Sequence, residues 1–188
     1  MMFKRIFDLS AVLLLLPVML PMAGLVAIAV ALTSPGAVIY WSHRVGQHNK
    51  LFSMPKFRTM KIDTPAVATH LLVDPHQVLT PIGGFLRAAS LDEIPQLWSV
   101  MRGDMSFVGP RPALFNQEDL IALRTERDID QLKPGITGWA QINGRDSLEI
   151  PRKVEFEVEY MKRRTFWFDL KIIALTVIRV LKKADVQH

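Results

Sequence analysis

The run LSAVLLLLPVMLPMAGLVAIAVAL, Leu9–Leu32, holds 24 residues without a charge and decides how the chain is built. As a straight helix it is roughly 36 Å long at about 1.5 Å per residue, against a bilayer core of about 30 Å. A single membrane span is therefore one reading. Two features favour another. Pro17 and Pro21 sit within the run, and each removes a helix hydrogen bond and crowds the preceding turn. Both flanks are basic, with Lys4 and Arg5 before and Arg44, Lys50, Lys56, Arg58 and Lys61 after. Lys and Arg are retained on the cytoplasmic side, so a segment basic at both ends has no clear orientation as a span. A helix bent near Pro21, entering and leaving by the same face, satisfies both flanks. A cleaved signal peptide fits poorly, because its apolar region is about 7–15 residues and no A-x-A-like site follows at a sensible place. The expectation is a re-entrant hairpin, with the straight span as its alternative.

The rest of the chain narrows the chemistry. At 188 residues it is one domain's worth, with room for a real core. It has no Cys, which excludes disulfides, thiolate metal sites and cysteine nucleophiles. The five His, at 43, 48, 70, 76 and 188, show no zinc-ligand spacing. The net charge of +5 is uneven: residues 1–61 carry seven Lys/Arg against the single acid Asp8, and residues 62–188 carry sixteen against seventeen acids. That asymmetry points to an anionic membrane or a polyanion near the N-terminal third. The basic residues flank an oily segment rather than interleave with aromatics, so no nucleic-acid partner is expected.

The pattern divides the chain into a membrane segment, 1–36, closed by Thr33-Ser34-Pro35-Gly36, and a remainder, 37–188. Ala37–Tyr40 and Leu51–Phe57 read as short strands around the polar stretch Gly46–Lys50. Leu91–Met101 reads as a helix ended by Arg102-Gly103-Asp104, and Asn116–Arg127 as a polar helix capped by Asn116. Val108-Gly109-Pro110-Arg111-Pro112 is a rigid extended loop, since residues before Pro avoid the α region. Arg152–Arg164 is a charged helix. Phe166–Lys183 is helical with aromatics at one end and basic residues at the other, suited to a membrane interface or to core packing. The fold class is α+β, mainly helical: a membrane-embedded helix-break-helix, interfacial amphipathic helices and a small cytosolic globular domain.

Ser90-Leu91-Asp92-Glu93-Ile94-Pro95 places two carboxylates side by side. In one reading it is a capping box, Ser90 capping and Glu93 reaching back. In the other the helix starts at Asp92, which puts Pro95 where an N–H has no intrahelical partner anyway. Asp92 and Glu93 then stand at the positive end, beside phosphate or a divalent cation. Lys56, Arg58, Arg87 and Arg111 add cations suited to a diphosphate. A carboxylate pair with cations on a membrane-seated domain suggests phosphoryl chemistry on a lipid, where Asp can act as a covalent nucleophile.

The strings KRIFDL (4–9), KFRTM (56–60), LRAASLDEIPQL (86–97), GDMSFVGPRP (103–112) and KPGITGWAQINGR (133–145) resemble those of the monotopic phosphoglycosyl transferases, the bacterial sugar transferase superfamily. The motifs run in order over nearly the whole chain, which looks like the minimal form lacking the extra transmembrane helices of larger relatives. The resemblance implies transfer of a phospho-sugar from a UDP-sugar to polyprenyl (undecaprenyl) phosphate with release of UMP and a need for Mg²⁺. It implies a seat on the cytoplasmic face of the bacterial inner membrane, in contact with membrane lipid, at the first membrane step of O-antigen, capsule, exopolysaccharide or glycoprotein glycan assembly.

By similarity Asp92 is the nucleophile, and Glu93 assists as base or, with Asp92, in the Mg²⁺ shell. Lys56, Arg58, Arg87, Arg111 and Arg145 bind phosphate groups, and the membrane helix breaks at Pro21. A homodimer is permitted without being required. The chain departs from the family in having Leu20 before Pro21, where Ser is common. It also has Ile150 and Glu157 where Trp and Asp are common, departures that suggest an altered sugar-nucleotide preference.

Overall fold

In a computed structural model, which describes residues 2–65, 67, 74, 77–144 and 148–185, the apolar run lies within α1, Met2–Thr33. Helical geometry continues through Pro17 and Pro21, so the two prolines do not divide the run into separate helices. At its end Thr33 Oγ1 donates to the Ala29 carbonyl and Ser34 N to that of Val30. Gly36 then turns the chain at φ +95°, a left-handed value that favours glycine.

One face of α1 is bare: Leu14 is 79% exposed, Leu20 68% and Leu32 81%. The other face packs along the folded body. Val12 meets Met54, Val100 and Met105, while Val26 and Val30 meet Phe57 and Leu86. The N-terminal end is pinned by polar contacts. Lys4 Nζ donates to Asp169 Oδ2 at 2.5 Å, and to Tyr160 and the Val108 carbonyl. Asp8 accepts from the Ser106 hydroxyl and the Phe107 N–H. At the other end Arg58 Nη1 donates to the Pro35 carbonyl at 2.6 Å. The helix is therefore fastened to the same body at both ends.

That body opens with the antiparallel pair β1, Ile39–Val45, and β2, Leu51–Phe57, in the register Ile39↔Phe57 to Val45↔Leu51. A 3-10 turn, Gln47–Asn49, joins them with His48 and Asn49 at positive φ. α2, Gly83–Ala88, leads into a 3-10 segment, Leu91–Gln96, and then α3, Leu97–Arg102. The single helix expected over Leu91–Met101 is thus two pieces. Pro95 has no N–H for a continuous α ladder, and it lies just ahead of Gln96, the N-cap of α3. Gly103, at φ +91°, ends α3 as expected.

β3, Ser106–Val108, pairs in parallel with β5, Gly135–Thr137, and β4, Ala113–Leu114, completes the first sheet in the order β2-β1-β4. The VGPRP and KPGITG motifs meet where β3 and β5 end. A Cβ on Gly135 would lie 2.1 Å from the Gly109 nitrogen, a contact no side chain permits, so these glycines are needed for close approach. α4, Glu118–Glu126, begins two residues after the expected cap Asn116, and Gln117 precedes it, its Oε1 accepting from Leu114 N.

α5, Trp139–Asn143, α6, Ile150–Arg163, and α7, Phe166–Asp185, follow. Phe168 and Ile172 of α7 pack with Val108, Leu132, Ile142 and Tyr160. On the remaining surface of α7, Trp167 is 77% exposed, with Val177 and Ile178 also open. One face of the helix is thus core and another is bare and apolar.

Candidate active site

Ser90 links α2 to the 3-10 segment in a left-handed conformation, φ 57° and ψ 21°, and makes no side-chain cap bond. This is a sparsely populated geometry for a residue with a Cβ. Neither sequence reading of the carboxylate pair holds in detail. There is no capping box, and the helical segment begins at Leu91 rather than Asp92. Glu93 N donates to the Ser90 carbonyl, while its side chain reaches two cations.

Lys56, the last but one residue of β2, donates to Glu93 Oε1 at 2.9 Å. Arg111, on the extended loop after β3, reaches the same oxygen at 3.2 Å. Asp92 is placed differently. Among the described residues its one ion pair is to Lys56 Nζ at 3.8 Å, beyond hydrogen-bond length.

The two carboxyls therefore titrate apart. Burial pushes Asp92 above the usual aspartate range, with the neighbouring Glu93 charge adding to it and Lys56, Arg87 and Arg111 only partly opposing. Burial also works against ionisation of Glu93, but Lys56 and Arg111 outweigh it and hold that carboxyl well below its ordinary value. Lys56 is lowered, chiefly by burial, with Arg111 adding and the two acids opposing. Adjacent acids whose environments separate their proton affinities in this way suit two different tasks.

These groups line a cavity of about 470 Å³. One part of its wall is polar, with Lys56, Arg87, Ser90, Asp92, Glu93 and Arg111. Distant elements also contribute, among them Leu15 and Met19 of α1, Phe107, Ile136 and Thr137, and Thr176, Arg179 and Val180 of α7. Thr137 and Thr176 hydroxyls bond across β5 and α7 at 2.7 Å.

Of the residues picked from sequence, Asp92, Glu93, Lys56, Arg87 and Arg111 come together. Arg58 does not line this cavity; its guanidinium is committed to the carbonyl of Pro35, where it holds the chain leaving α1. Arg145 lies outside the described residues. Ile150 and Glu157 are also elsewhere. Glu157 accepts from Arg124 Nε at 2.8 Å and Nη2 at 2.5 Å, and Ile150 packs in the cluster of Leu120 and Val154 between α4 and α6. Both departures from the family pattern hold that helix pair together, and neither touches the cavity. Thr137 lies within the KPGITGWAQINGR motif, whereas Thr176, Arg179, Leu15 and Met19 were missed. Motif spacing carries no sign of them, because they reach the cavity only through long-range packing.

The donor set suits a hard divalent cation of limited protein ligation. No cluster of three or more His, Cys, Asp or Glu occurs among the described residues. Among the described residues Asp92 has no hydrogen-bonded cation, and one oxygen of Glu93 carries its two bonded cations. Mg²⁺ commonly takes one or two carboxylates, with phosphate oxygens and water completing six positions. Asp92 and the second oxygen of Glu93 fit that requirement.

Residues 1–183 match the profile of the family described as bacterial sugar transferase. The chain is 41% identical over 192 residues to the "Uncharacterized sugar transferase EpsL" of Bacillus subtilis (strain 168), covering 100% of this chain and 92% of that protein. It is 41% identical over 184 residues to the UDP-glucose:undecaprenyl-phosphate glucose-1-phosphate transferase of Escherichia coli (strain K12), covering 94% of this chain and 39% of that one. It is 34% identical over 200 residues to the undecaprenyl-phosphate galactose phosphotransferase of Salmonella typhimurium, covering 96% and 40%. The chain thus spans nearly all of the first relative and about two fifths of the other two.

Proposed function

The chain belongs to the bacterial sugar transferase family, and from that premise we propose that it transfers a phospho-sugar from a UDP-sugar to polyprenyl phosphate, with UMP released and the phospho-sugar held in between on Asp92. The observation that carries this reading is Asp92 itself. It is a buried, weakly paired carboxylate in a cavity that joins the cations Lys56, Arg87 and Arg111 to the apolar side chains of α1. The relatives named for undecaprenyl-phosphate sugar transfer support the choice of donor and acceptor.

An Asp92 oxygen attacks the sugar-bearing phosphorus. The bond from that phosphorus to the bridging oxygen breaks, and its electron pair leaves with UMP. A polyprenyl phosphate oxygen then attacks the same phosphorus, the bond to Asp92 breaks, and the electron pair returns to the carboxylate. The product is polyprenyl-diphospho-sugar, with the sugar's anomeric C–O bond untouched. Both nucleophiles are already anions and both leaving groups depart as anions, so neither step requires a proton transfer.

Glu93 therefore need not serve as a base, and its depressed proton affinity makes it a poor one. Its work is to hold Lys56 and Arg111 where charge builds on the phosphoryl oxygens. Mg²⁺, bound by Asp92 and Glu93 with the diphosphate, would supply further neutralisation of phosphate charge.

The raised Asp92 sets a pH dependence. As pH falls, Asp92 takes up its proton before Glu93 and at a pH above that of an ordinary aspartate, so the nucleophilic carboxylate is lost first. As pH rises, Lys56 loses its charge below the ordinary lysine value. The expected profile of kcat/KM is a bell with both limbs drawn inward. An acid limb at or below about pH 3.9, the unperturbed aspartate value, would contradict the assignment of Asp92.

α1 supports a membrane seat. Its two ends are bonded to one folded body while its outer face is bare and apolar, and its flanks are basic. We read this as entry and exit on the cytoplasmic face of the inner membrane, not as a crossing. A C-terminus reached from the far side of the membrane would contradict it.

The released nucleotide tests the reaction class. Protein in nanodiscs with Mg²⁺, undecaprenyl phosphate and a panel of UDP-sugars is expected to yield UMP. Release of UDP would mean attack at the anomeric carbon, a different transferase chemistry.

A further inference from the structure

Arg179 occupies an unusual place for a charged side chain. It lies on α7 and lines the cavity with Thr176 and Val180 of its own helix and with Leu15 and Met19 of α1. Its sequence neighbours Val177 and Ile178 are exposed and apolar. Several other arginines are committed within the protein: Arg5 to backbone carbonyls, Arg58 to Pro35, Arg124 to Glu157, and Arg163 to Glu159. Arg179 has no hydrogen bond or ion pair among the described residues, and it is exposed.

The cavity thus has two cationic regions on different elements. Lys56, Arg87 and Arg111 gather about the Asp92–Glu93 pair. Arg179 comes from α7 and lines the cavity together with the apolar Leu15 and Met19 of α1. We propose that Arg179 is the receptor for the phosphate of the acceptor lipid, an isoprenoid phosphate monoester whose chain lies between α1 and α7. This rests on the polyprenyl phosphate reading above and goes beyond it by naming where the acceptor's charge is received.

The chemistry matches. A phosphate monoester carries about −1.5 to −2 charge near neutral pH, and its tail is apolar. Its receptor must therefore present a cation at the boundary between an oily groove and a polar cavity. Arg suits that boundary better than Lys, since its guanidinium is less strongly hydrated and grips phosphate oxygens with two parallel N–H donors. The arrangement separates the two anionic substrates. The diphosphate occupies the cations around Asp92, and the acceptor waits on Arg179 until UMP has left.

The rival role for Arg179 is to reach toward phospholipid headgroups, as long basic side chains do at interfaces. The two roles share phosphate recognition and differ in the source of the phosphate. The experiment uses the full chain in nanodiscs of neutral lipid with a UDP-sugar that the panel shows is turned over. The parent protein, Arg179→Gln and Arg179→Lys are compared in two half-reactions: the UMP burst without acceptor, and steady turnover against a titration of undecaprenyl phosphate. A parallel arm measures binding to vesicles containing anionic phospholipid but no polyprenyl phosphate.

For Arg179→Gln the expected result is a burst within about twofold of the parent and an acceptor KM raised about 10- to 100-fold, since a charged hydrogen-bonded contact is lost. Arg179→Lys should recover part of that loss. An unchanged acceptor KM overturns the proposal, whether or not vesicle binding weakens; weakened vesicle binding alone assigns Arg179 to headgroups. Equal loss of burst and turnover also overturns it, because a general structural defect then explains both. A parent protein that gives no burst contradicts the covalent reading itself, and the Arg179 assignment falls with it.

Discussion

Replacing Asp92 with Asn is expected to lower UMP release by at least about 10³-fold, the scale on which removal of a covalent nucleophile acts, while the fold survives. The two halves of this expectation have one cause. Asp92 is buried and its carboxyl is pushed upward chiefly by that burial, so the ionised group is held at a cost to stability. A neutral amide of the same shape removes that cost. The variant should melt at the parent temperature or above it, as is common where a strained functional group is neutralised. If the pair served only to shape the chain start at Ser90, activity would persist. Lost activity with an intact melting transition separates chemistry from folding, and UMP release measured beside thermal unfolding checks both.

Arg124→Met is expected to act in the opposite way. Arg124 and Glu157 form a two-bond ion pair in which both residues are buried, at 8% and 2% exposure. Removing only the cation leaves a buried carboxylate without its partner, which costs about 3–5 kcal/mol. At about 2–4 °C per kcal/mol for a chain of this size, the melting temperature falls by roughly 6–20 °C. The double variant Arg124→Met/Glu157→Leu should recover most of that loss, because a well-packed apolar pair can replace a buried ion pair. Turnover per folded molecule should change little in either, since neither residue lines the cavity. A single variant that melts with the parent would show that the pair contributes nothing to the α4–α6 contact.

The parts of this arrangement readable in the sequence were those written locally. The length of the apolar run, its two prolines and its basic flanks are local, and so are the adjacent acids and the glycine and proline of VGPRP. The strand Leu51–Phe57 and the helices α6 and α7 were also visible as patterns, because a helix or strand face repeats within a few residues, whereas β1 lies mostly beyond the expected Ala37–Tyr40. Partner choice was not. Lys56 meets Glu93 across 37 residues and Arg111 meets it across 18, and no spacing rule sets those distances.

Arg58 shows the failure most clearly. Two residues after Lys56, it would share a strand face if the strand continued. The β1–β2 pairing ends at Phe57, however, and Arg58 instead bonds back to the segment after α1. Glu157 misled in a similar way. It lies on the buried face of α6 with Val154 and Tyr160, but its match in charge, Arg124, sits on another helix. Resemblance alone could not tell a structural acid from a substrate contact. Arg179 went unnoticed because it looked like one of several basic residues ending a helix, and only the cavity gives it a distinct neighbourhood.

A phospho-sugar held on Asp92 is the species on which the proposed transfer turns, and it can be weighed. Protein incubated with Mg²⁺ and a turned-over UDP-sugar, without polyprenyl phosphate, is quenched and its peptides are measured by mass spectrometry. The expected result is a peptide containing Asp92 heavier by one phospho-sugar, formed with a matching amount of UMP, cleared when undecaprenyl phosphate is added, and absent from Asp92→Asn. Turnover to polyprenyl-diphospho-sugar with no adduct at any quench time, or an adduct on another residue, would contradict it.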